Sequence, residues 1–386
     1  MSLTSSESPR VGRTWDVFCR VVDNHGDAGV CWRLAADLAS RGIAVRLWMD
    51  DARALAWMAP GGRSGIDVLP WPSTDRDVST NISNAAAEVV IEAFGCGLPD
   101  PYLLCLAVPQ SSLAPVWINL EYLTAEPYAE RNHRLPSPQH SGPARGLTSW
   151  FFYPGFNART GGLLREADLP SRQAAFDRDT WLADHSISRA AGERLVSLFC
   201  YENANIPRLL HSLAERPTLL LTTPGHATEQ VKQALGGAGI SDRLRVHALP
   251  WLTQTDYDHL LWSCDLNFVR GEDSLVRAIW AGRPFVWQIY PQDDGAHATK
   301  LAAFLTRKLA TVEPAHAESI RRLSWRWNDL AGAVDSAWNL LDSPLAMSVW
   351  ATRCEAWRAE LLEIPDLTTQ LLAFAAARGV PEDAKI

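Results

Sequence analysis

Apolar and polar positions along the chain follow two periods, and their order predicts strands and helices in alternation. Val17–Val22 is a short apolar run of β-forming residues, and a polar turn follows it. Val30, Leu34, Ala35 and Leu38 then recur at helical spacing until Gly42 stops the helix. Ala44–Met49 reads as a second strand, with Asp50 and Asp51 at its carboxyl end. Such a β–loop–α–β unit opens a parallel sheet. Val89–Ala93 and Val116–Leu120 extend that sheet, each with a carboxylate at or near its end, Glu92 and Glu121.

From about Ala125 to Gly162 the stretches RLPSPQHSGP and SWFFYPGFNARTGGLL predict loops, and the charged Leu169–Arg194 predicts a helical connection. The strand pattern then restarts. Leu195–Cys200 is followed by Tyr-Glu-Asn, and Thr218–Thr222 by Pro-Gly. Val246–Leu249, Asp265–Val269 and Pro284–Ile289 complete it, the last after a helix closed by Ala281-Gly282. Two successive α/β halves with loops at their strand carboxyl ends place a cleft between them. The expected division is a Rossmann-like domain over 1–180, a second over 181–345, and a helical segment over 346–386 with the option of packing back on the first.

Composition narrows the class. A chain of 386 residues exceeds one ordinary core. Hydrophobic content of 47% with 21% charged residues describes a soluble globular protein. The net charge of -8 argues against a nucleic-acid partner held by a basic face. No apolar run approaches the ~20 residues that span a bilayer, and MSLTSSESPRVGRTW lacks the apolar centre of a secretory signal. The expectation is therefore a cytoplasmic protein with no membrane partner. Seven cysteines form no C-x-x-C pair, and ten histidines are dispersed, which predicts reduced, packed thiols and no metal site. Most of the 17 tryptophans are expected in the core.

Two stretches carry candidate chemistry. In VVDNHGDAGVCWRL the first strand-to-helix turn holds Asp23 and Asp27 where a dinucleotide fold places glycines. Two carboxylates there would repel a pyrophosphate, so Gly26-x-x-Gly29 is weak evidence for a nucleotide. Asp27 is either a helix cap or a general base, and Asp23 either a loop-binding residue or a holder of a cationic or hydroxylated substrate. In CDLNFVRGEDSLVRAIWAGRPFVWQIYPQ a strand again meets a helix. Arg270 and Gly271 form the turn, and Glu272, Asp273 and Ser274 open the helix. A helix N-terminus with an arginine and a hydroxyl suits a phosphate; the alternative is an N-cap at Asp273 or Ser274 with Arg270 paired to an acid.

Beside it, Trp251, Gln254 and Tyr257 offer stacking and an amide for a planar base, with Tyr290 at the end of the next strand. By charge, the N-terminal half reads as the acceptor side and the C-terminal half as the donor-phosphate side. Asp75-Arg76-Asp77 and Asp177-Arg178-Asp179 match the D-x-D string of metal-dependent glycosyltransferases. Both lie in polar segments and read as surface charges.

Taken together, VVDNHGDAGVCWRLA, VVIEAFGCGLP, WINLEYLTAE, FFYPGF…TGGLL, LFCYEN and FVRGEDSLVRAIWAGRPFVWQIYPQ resemble the bacterial protein-arginine rhamnosyltransferases that modify elongation factor P, the EarP family. The resemblance implies a GT-B architecture, two Rossmann-like domains facing across a cleft, with no catalytic metal and no cofactor. It implies inverting transfer of L-rhamnose from dTDP-β-L-rhamnose to an arginine of the factor, which the N-terminal domain would hold while the C-terminal domain holds the donor. Catalytic roles fall on Asp23, Asp27, as general base, and Glu272. Donor-binding roles fall on Arg270, Asp273, Ser274, Trp251, Gln254, Tyr257 and Tyr290, with Asp273 acting through the loop. His25, Trp251 and Tyr257 depart from the phenylalanines expected in relatives. Three alternatives remain at this level: a GT-B enzyme with a small-molecule or lipid acceptor, a non-catalytic binding protein, and an NAD-dependent oxidoreductase. The last is disfavoured by the acidic first turn.

Overall fold

The computed structural model describes residues 13–22, 25–82, 87–107, 115–236, 241–292 and 295–380. Its strands are β1 (Thr14–Cys19), β2 (Ala44–Met49), β3 (Ile66–Pro70), β4 (Val89–Ala93), β5 (Val116–Leu120), β6 (Pro136–Pro138), β7 (Thr148–Phe152), β8 (Arg194–Leu198), β9 (Thr218–Thr222), β10 (Leu244–Ala248), β11 (Leu266–Arg270) and β12 (Phe285–Gln288). They form two sheets, ordered β3-β2-β1-β4-β5-β7-β6 and β10-β9-β8-β11-β12. All pairings are parallel except β6 with β7. Both sheets reverse direction of winding once, between β1 and β4 and between β8 and β11. Loops at those switch points diverge and leave a crevice.

Each sheet is covered on both faces. Trp15, Val17 and Cys19 of β1 face one core cluster, which also takes Leu371 and Phe374 from the helix Leu367–Ala376, while Phe18 faces another with Trp48 and Tyr102. The second sheet is packed the same way: Val196 and Leu198 face a cluster with Trp327, Trp338, Trp350 and Trp357, and Leu195 faces Trp181 and Leu260. Helix Pro344–Leu362 therefore belongs with the second sheet, and the chain returns to the first only beyond it. The two chain crossings run side by side. Leu367 N–H donates to the Leu163 carbonyl at 3.0 Å, and Arg165 Nη1 to the Leu362 carbonyl at 3.0 Å. Gly162, at φ +71, leaves no room for a side chain there: a Cβ would lie 2.4 Å from the Pro365 carbonyl oxygen.

Strands β2, β4, β5 and β9 coincide with the apolar runs read from the sequence. β1 stops at Cys19 rather than Val22 because carboxylates take over the backbone: Val21 N–H donates to Asp50 at 2.9 Å and Val22 N–H to Asp27 at 2.8 Å. The apolar pattern misses β3, half-exposed at the sheet edge, and β6 and β7, which lie among Pro, Gly and Ser. The connection is not one helix. It breaks before Asp177, whose carboxylate accepts from Thr180 N–H at 2.6 Å and caps a second short helix, Arg178–Asp184.

A buried ionic cluster joins the halves. Helix Gly26–Ser40, which follows β1, packs against helix Gly271–Ala281, which follows β11. From the first, Arg33 reaches Asp258 at 3.1 Å, Asp273 at 3.1 Å and Glu166 at 3.4 Å. Arg277 of the second helix binds Asp258 through Nε at 2.8 Å and Nη2 at 2.6 Å, and Glu166 at 2.8 Å. Burial works to raise the Glu166 carboxyl, but Arg277 and Arg33 outweigh it and hold it well below the ordinary range. Asp258 is central, so Asp258→Ala leaves two buried guanidinium groups short of a partner. The expected loss is about 3–5 kcal/mol of unfolding free energy. Denaturant unfolding measures it, and a loss under about 1 kcal/mol, as for a surface pair, contradicts this account.

Candidate active site

The turn read from the sequence as a candidate phosphate seat is built around Arg270. This residue ends β11 and precedes helix Gly271–Ala281, whose first-turn residues Gly271, Glu272, Asp273 and Ser274 line the cleft. Its guanidinium is buried and lies over two aromatic rings, 4.6 Å from the Phe199 centroid and 4.3 Å from that of Tyr201. Nη1 has no hydrogen-bond partner among the described residues, and no carboxylate pairs with this arginine there. A buried cation left in this way is costly unless an anion completes it. Ser274 Oγ donates to the Arg270 carbonyl, so the hydroxyl fastens the turn from within the helix. Neither Ser274 nor Asp273 is the N-cap; that position is Arg270 itself.

Trp251, Gln254, Tyr257, Arg270, Asp273 and Ser274 all line one pocket, closed from the other half by His25 and Trp57. Trp57 and Trp251 lie 4.6 Å apart across the cleft, and the His25 ring meets both edge-on, at 5.3 and 5.6 Å. The aromatic cover thus has parts from both domains. Tyr257 packs edge-on against Phe199 at 5.8 Å, and burial pushes its hydroxyl well above the ordinary range, so it stays protonated. Gln254 Nε2 donates to the Gly29 carbonyl at 3.0 Å. Asp273 pairs with Arg33; burial raises its carboxyl, against the pull of Arg33 and Arg277. Gly29 serves this contact rather than a phosphate, since a Cβ there would lie 3.0 Å from Asp273 Oδ2 and 3.4 Å from Gln254 Nε2.

A second cavity adjoins the first at Gly26 and the Arg270–Gly271 turn. Asp27, Phe94, Tyr122, Glu272, Tyr290 and Lys300 line it. Asp27 is 3% exposed and sits in the first turn of its helix, where Oδ2 accepts from Val22 N–H at 2.8 Å. It ties the loop back rather than capping the helix end. Asp23 lies outside the described residues. Glu272 bridges the halves: Oε2 accepts from Leu123 N–H at 2.8 Å, and Oε1 binds Lys300 Nζ at 2.7 Å. Tyr290, grouped with the nucleotide side in the sequence reading, lines this cavity and meets Tyr201 edge-on at 5.5 Å.

The sequence reading passed over Lys300, Phe199, Tyr201, Trp57 and Arg33. Phe199 and Tyr201 directly follow a strand at the switch point, which is a usable signal; Trp57 and Arg33 carry none. The D-x-D strings are local: Asp77 accepts from Ser73 and Thr74 N–H at 3.0 and 2.8 Å, and Asp177 is the cap described above. Among the described residues, no group of three or more His, Cys, Asp or Glu is placed to hold a metal ion, and no helix is long and apolar enough to cross a membrane.

Comparison with known proteins fits this geometry. The family model of the elongation-factor P (EF-P) rhamnosyltransferase EarP matches residues 15–376. The chain belongs to the EarP family. It is 42% identical to a protein-arginine rhamnosyltransferase of Pseudomonas aeruginosa, over 94% of this chain and 99% of that one. Among solved structures, one concerned with EarP-mediated arginine glycosylation of translation elongation factor EF-P superposes with a TM-score of 0.66. It is 30% identical and covers 94% of this chain and 99% of that one. The Acinetobacter baumannii MurG structure shares the fold alone, with a TM-score of 0.50 at 12% identity over 94% of this chain and 98% of its own. This EarP-family chain is a glycosyltransferase of GT-B architecture, with its two parallel-sheet domains on either side of the cleft.

The Arg270 guanidinium, with Nη1 left without a hydrogen-bond partner among the described residues, gives a direct expectation. A nucleoside diphosphate binds the wild-type protein, and Arg270→Gln weakens it about 10–100-fold, the loss of one or two charge-assisted hydrogen bonds. Calorimetric titration with dTDP measures this. Equal affinities would show that the guanidinium does not face the phosphates.

Proposed function

We propose that the protein transfers L-rhamnose from dTDP-β-L-rhamnose to an arginine side chain of translation elongation factor P, with inversion at the anomeric carbon, in the cytoplasm. The observation that carries the reading is the division of charge along one cleft. A buried Arg270, whose Nη1 has no hydrogen-bond partner among the described residues, and a helix N-terminus stand at one end, and the carboxylate-lined cavity of Asp27 and Glu272 adjoins it. The family relationship supports protein arginine as acceptor and rhamnose as the sugar moved.

In this reading the base stacks within the cover of Trp251, Trp57 and His25, beside Tyr257 and Gln254. The diphosphate lies on Arg270 and the N–H groups of helix Gly271–Ala281, with Ser274 and Asp273 fixing that turn. A guanidinium has a pKa above ~12, so its neutral form is scarce. Asp23 and Asp27 hold it, and Asp27 accepts a proton as the nitrogen attacks the anomeric carbon. The bond from that carbon to the diphosphate oxygen breaks on the opposite face, and the negative charge passes to dTDP. Arg270 and the helix N-terminus stabilise that charge as it grows, the electrostatic role a divalent cation can also fill, so the reading requires no metal and no cofactor. Glu272 positions the loop at Leu123 and the Lys300 ammonium around the reacting centre.

Removing the base separates binding from chemistry. Asp27→Asn lowers kcat about 10²–10⁴-fold, the usual worth of a general base, and leaves dTDP affinity unchanged. The assay is a deoxyhexose mass shift on an arginine peptide of the factor. Wild-type protein that adds no such mass, while moving rhamnose to another acceptor, would overturn the choice of acceptor.

A further inference from the structure

Phe94 follows β4 and Tyr122 follows β5, the two successive strands on one side of β1 in the first sheet. Phe94 has φ +59, a left-handed conformation that an aromatic residue rarely adopts, and Gly95 follows at φ +61. Its N–H donates to the Leu120 carbonyl at 2.7 Å, which pins the turn to the end of β5. Its ring stacks on Tyr122, centroids 4.6 Å apart at an interplanar angle of 16°. A glycine or asparagine would fit this backbone with less strain, so the ring itself is the reason for a phenylalanine here.

The pair walls the same cavity as Asp27 and Glu272, and Tyr122 keeps 38% of its surface exposed. Its face already accepts a cation: Lys300 Nζ lies 5.6 Å from the ring centroid. That ammonium is engaged by Glu272 at 2.7 Å. Among the described residues two carboxylates face a single ammonium in the cavity, and Phe94, Tyr122, Trp287 and Tyr290 give it aromatic walls between aliphatic ones. A planar, weakly hydrated cation suits such a seat better than a compact, strongly hydrated one.

We propose that the stacked Phe94–Tyr122 pair is the platform on which the acceptor's guanidinium lies beside Asp27, and that it selects arginine over lysine. This rests on the reading of a protein arginine as acceptor. Phe94→Gly removes the ring while relaxing the backbone, and Tyr122→Leu removes the aromatic face while keeping bulk. Each raises the KM for elongation factor P about ten-fold, the size expected of a desolvated cation–π contact, with a smaller change in kcat and none in dTDP affinity. Tyr122→Phe retains the wild-type KM.

In NMR titrations of the dTDP-loaded protein, N-acetyl-arginine methylamide binds more tightly than its lysine counterpart, and both ring-removing variants lose that preference. An unchanged KM and an unchanged preference in both variants overturn the proposal, as does a Tyr122→Phe variant as impaired as Tyr122→Leu. Wild-type protein that transfers no sugar to the factor defeats the functional reading, and the titrations still decide the platform.

Discussion

The junction of the two halves depends on one buried carboxylate. Asp258 is held by Arg277 of its own domain and by Arg33 of the other, and Glu166 of the connecting segment closes the same group from a third direction. Desolvating these charges is expensive, and only mutual pairing with good geometry offsets it. The cluster therefore favours one relative placement of the domains, since sliding the two helices leaves charges unpaired. Asp273 is part of that cluster and also the third residue of the helix that Arg270 caps. The placement of the domains and of the Arg270 turn thus depends on the same contacts.

The consequence is a cleft with two chemically distinct ends. At one end Arg270 lies on Phe199 and Tyr201, and its Nη1 has no hydrogen-bond partner among the described residues. The other is acidic and aromatic, where Asp27 is immobilised by the Val22 N–H and Glu272 spans the halves between Leu123 and Lys300. Both ends lie at switch points, because strand order reverses at β1/β4 and at β8/β11 and the loops there part. A transfer that makes an anion at one end and takes a proton from a cation at the other needs this separation. Placed in one loop, the two sets of charges would neutralise each other.

Much of this was legible. The loops at the strand carboxyl ends could be placed from the succession of strands, and VRGEDS, by combining a turn, an arginine and a helix start, suggested an anion seat beside the alternative of a capped helix. The pairing of Arg270 with an acid, an open alternative at that level, is absent among the described residues. Glu272 was legible as an acid but not as a bridge, since Leu123 lies 149 residues away. Arg33 could not have been found by period: a charged residue inside a helix reads as solvent-facing, and its partner Asp258 is 225 residues distant.

The sequence by itself determined the two α/β halves, the acidic first turn and the arginine-bearing second one, because strand propensity, helical period and turn chemistry are local. Only the tertiary structure decided that Gly29 serves a helix–helix contact, that Trp57 and Trp251 cover one pocket, and that Phe94 and Tyr122 wall the cavity of Asp27. Those outcomes depend on which charges and rings meet once two sheets are packed, and burial gives such long-range pairs energies that no window of neighbouring residues contains.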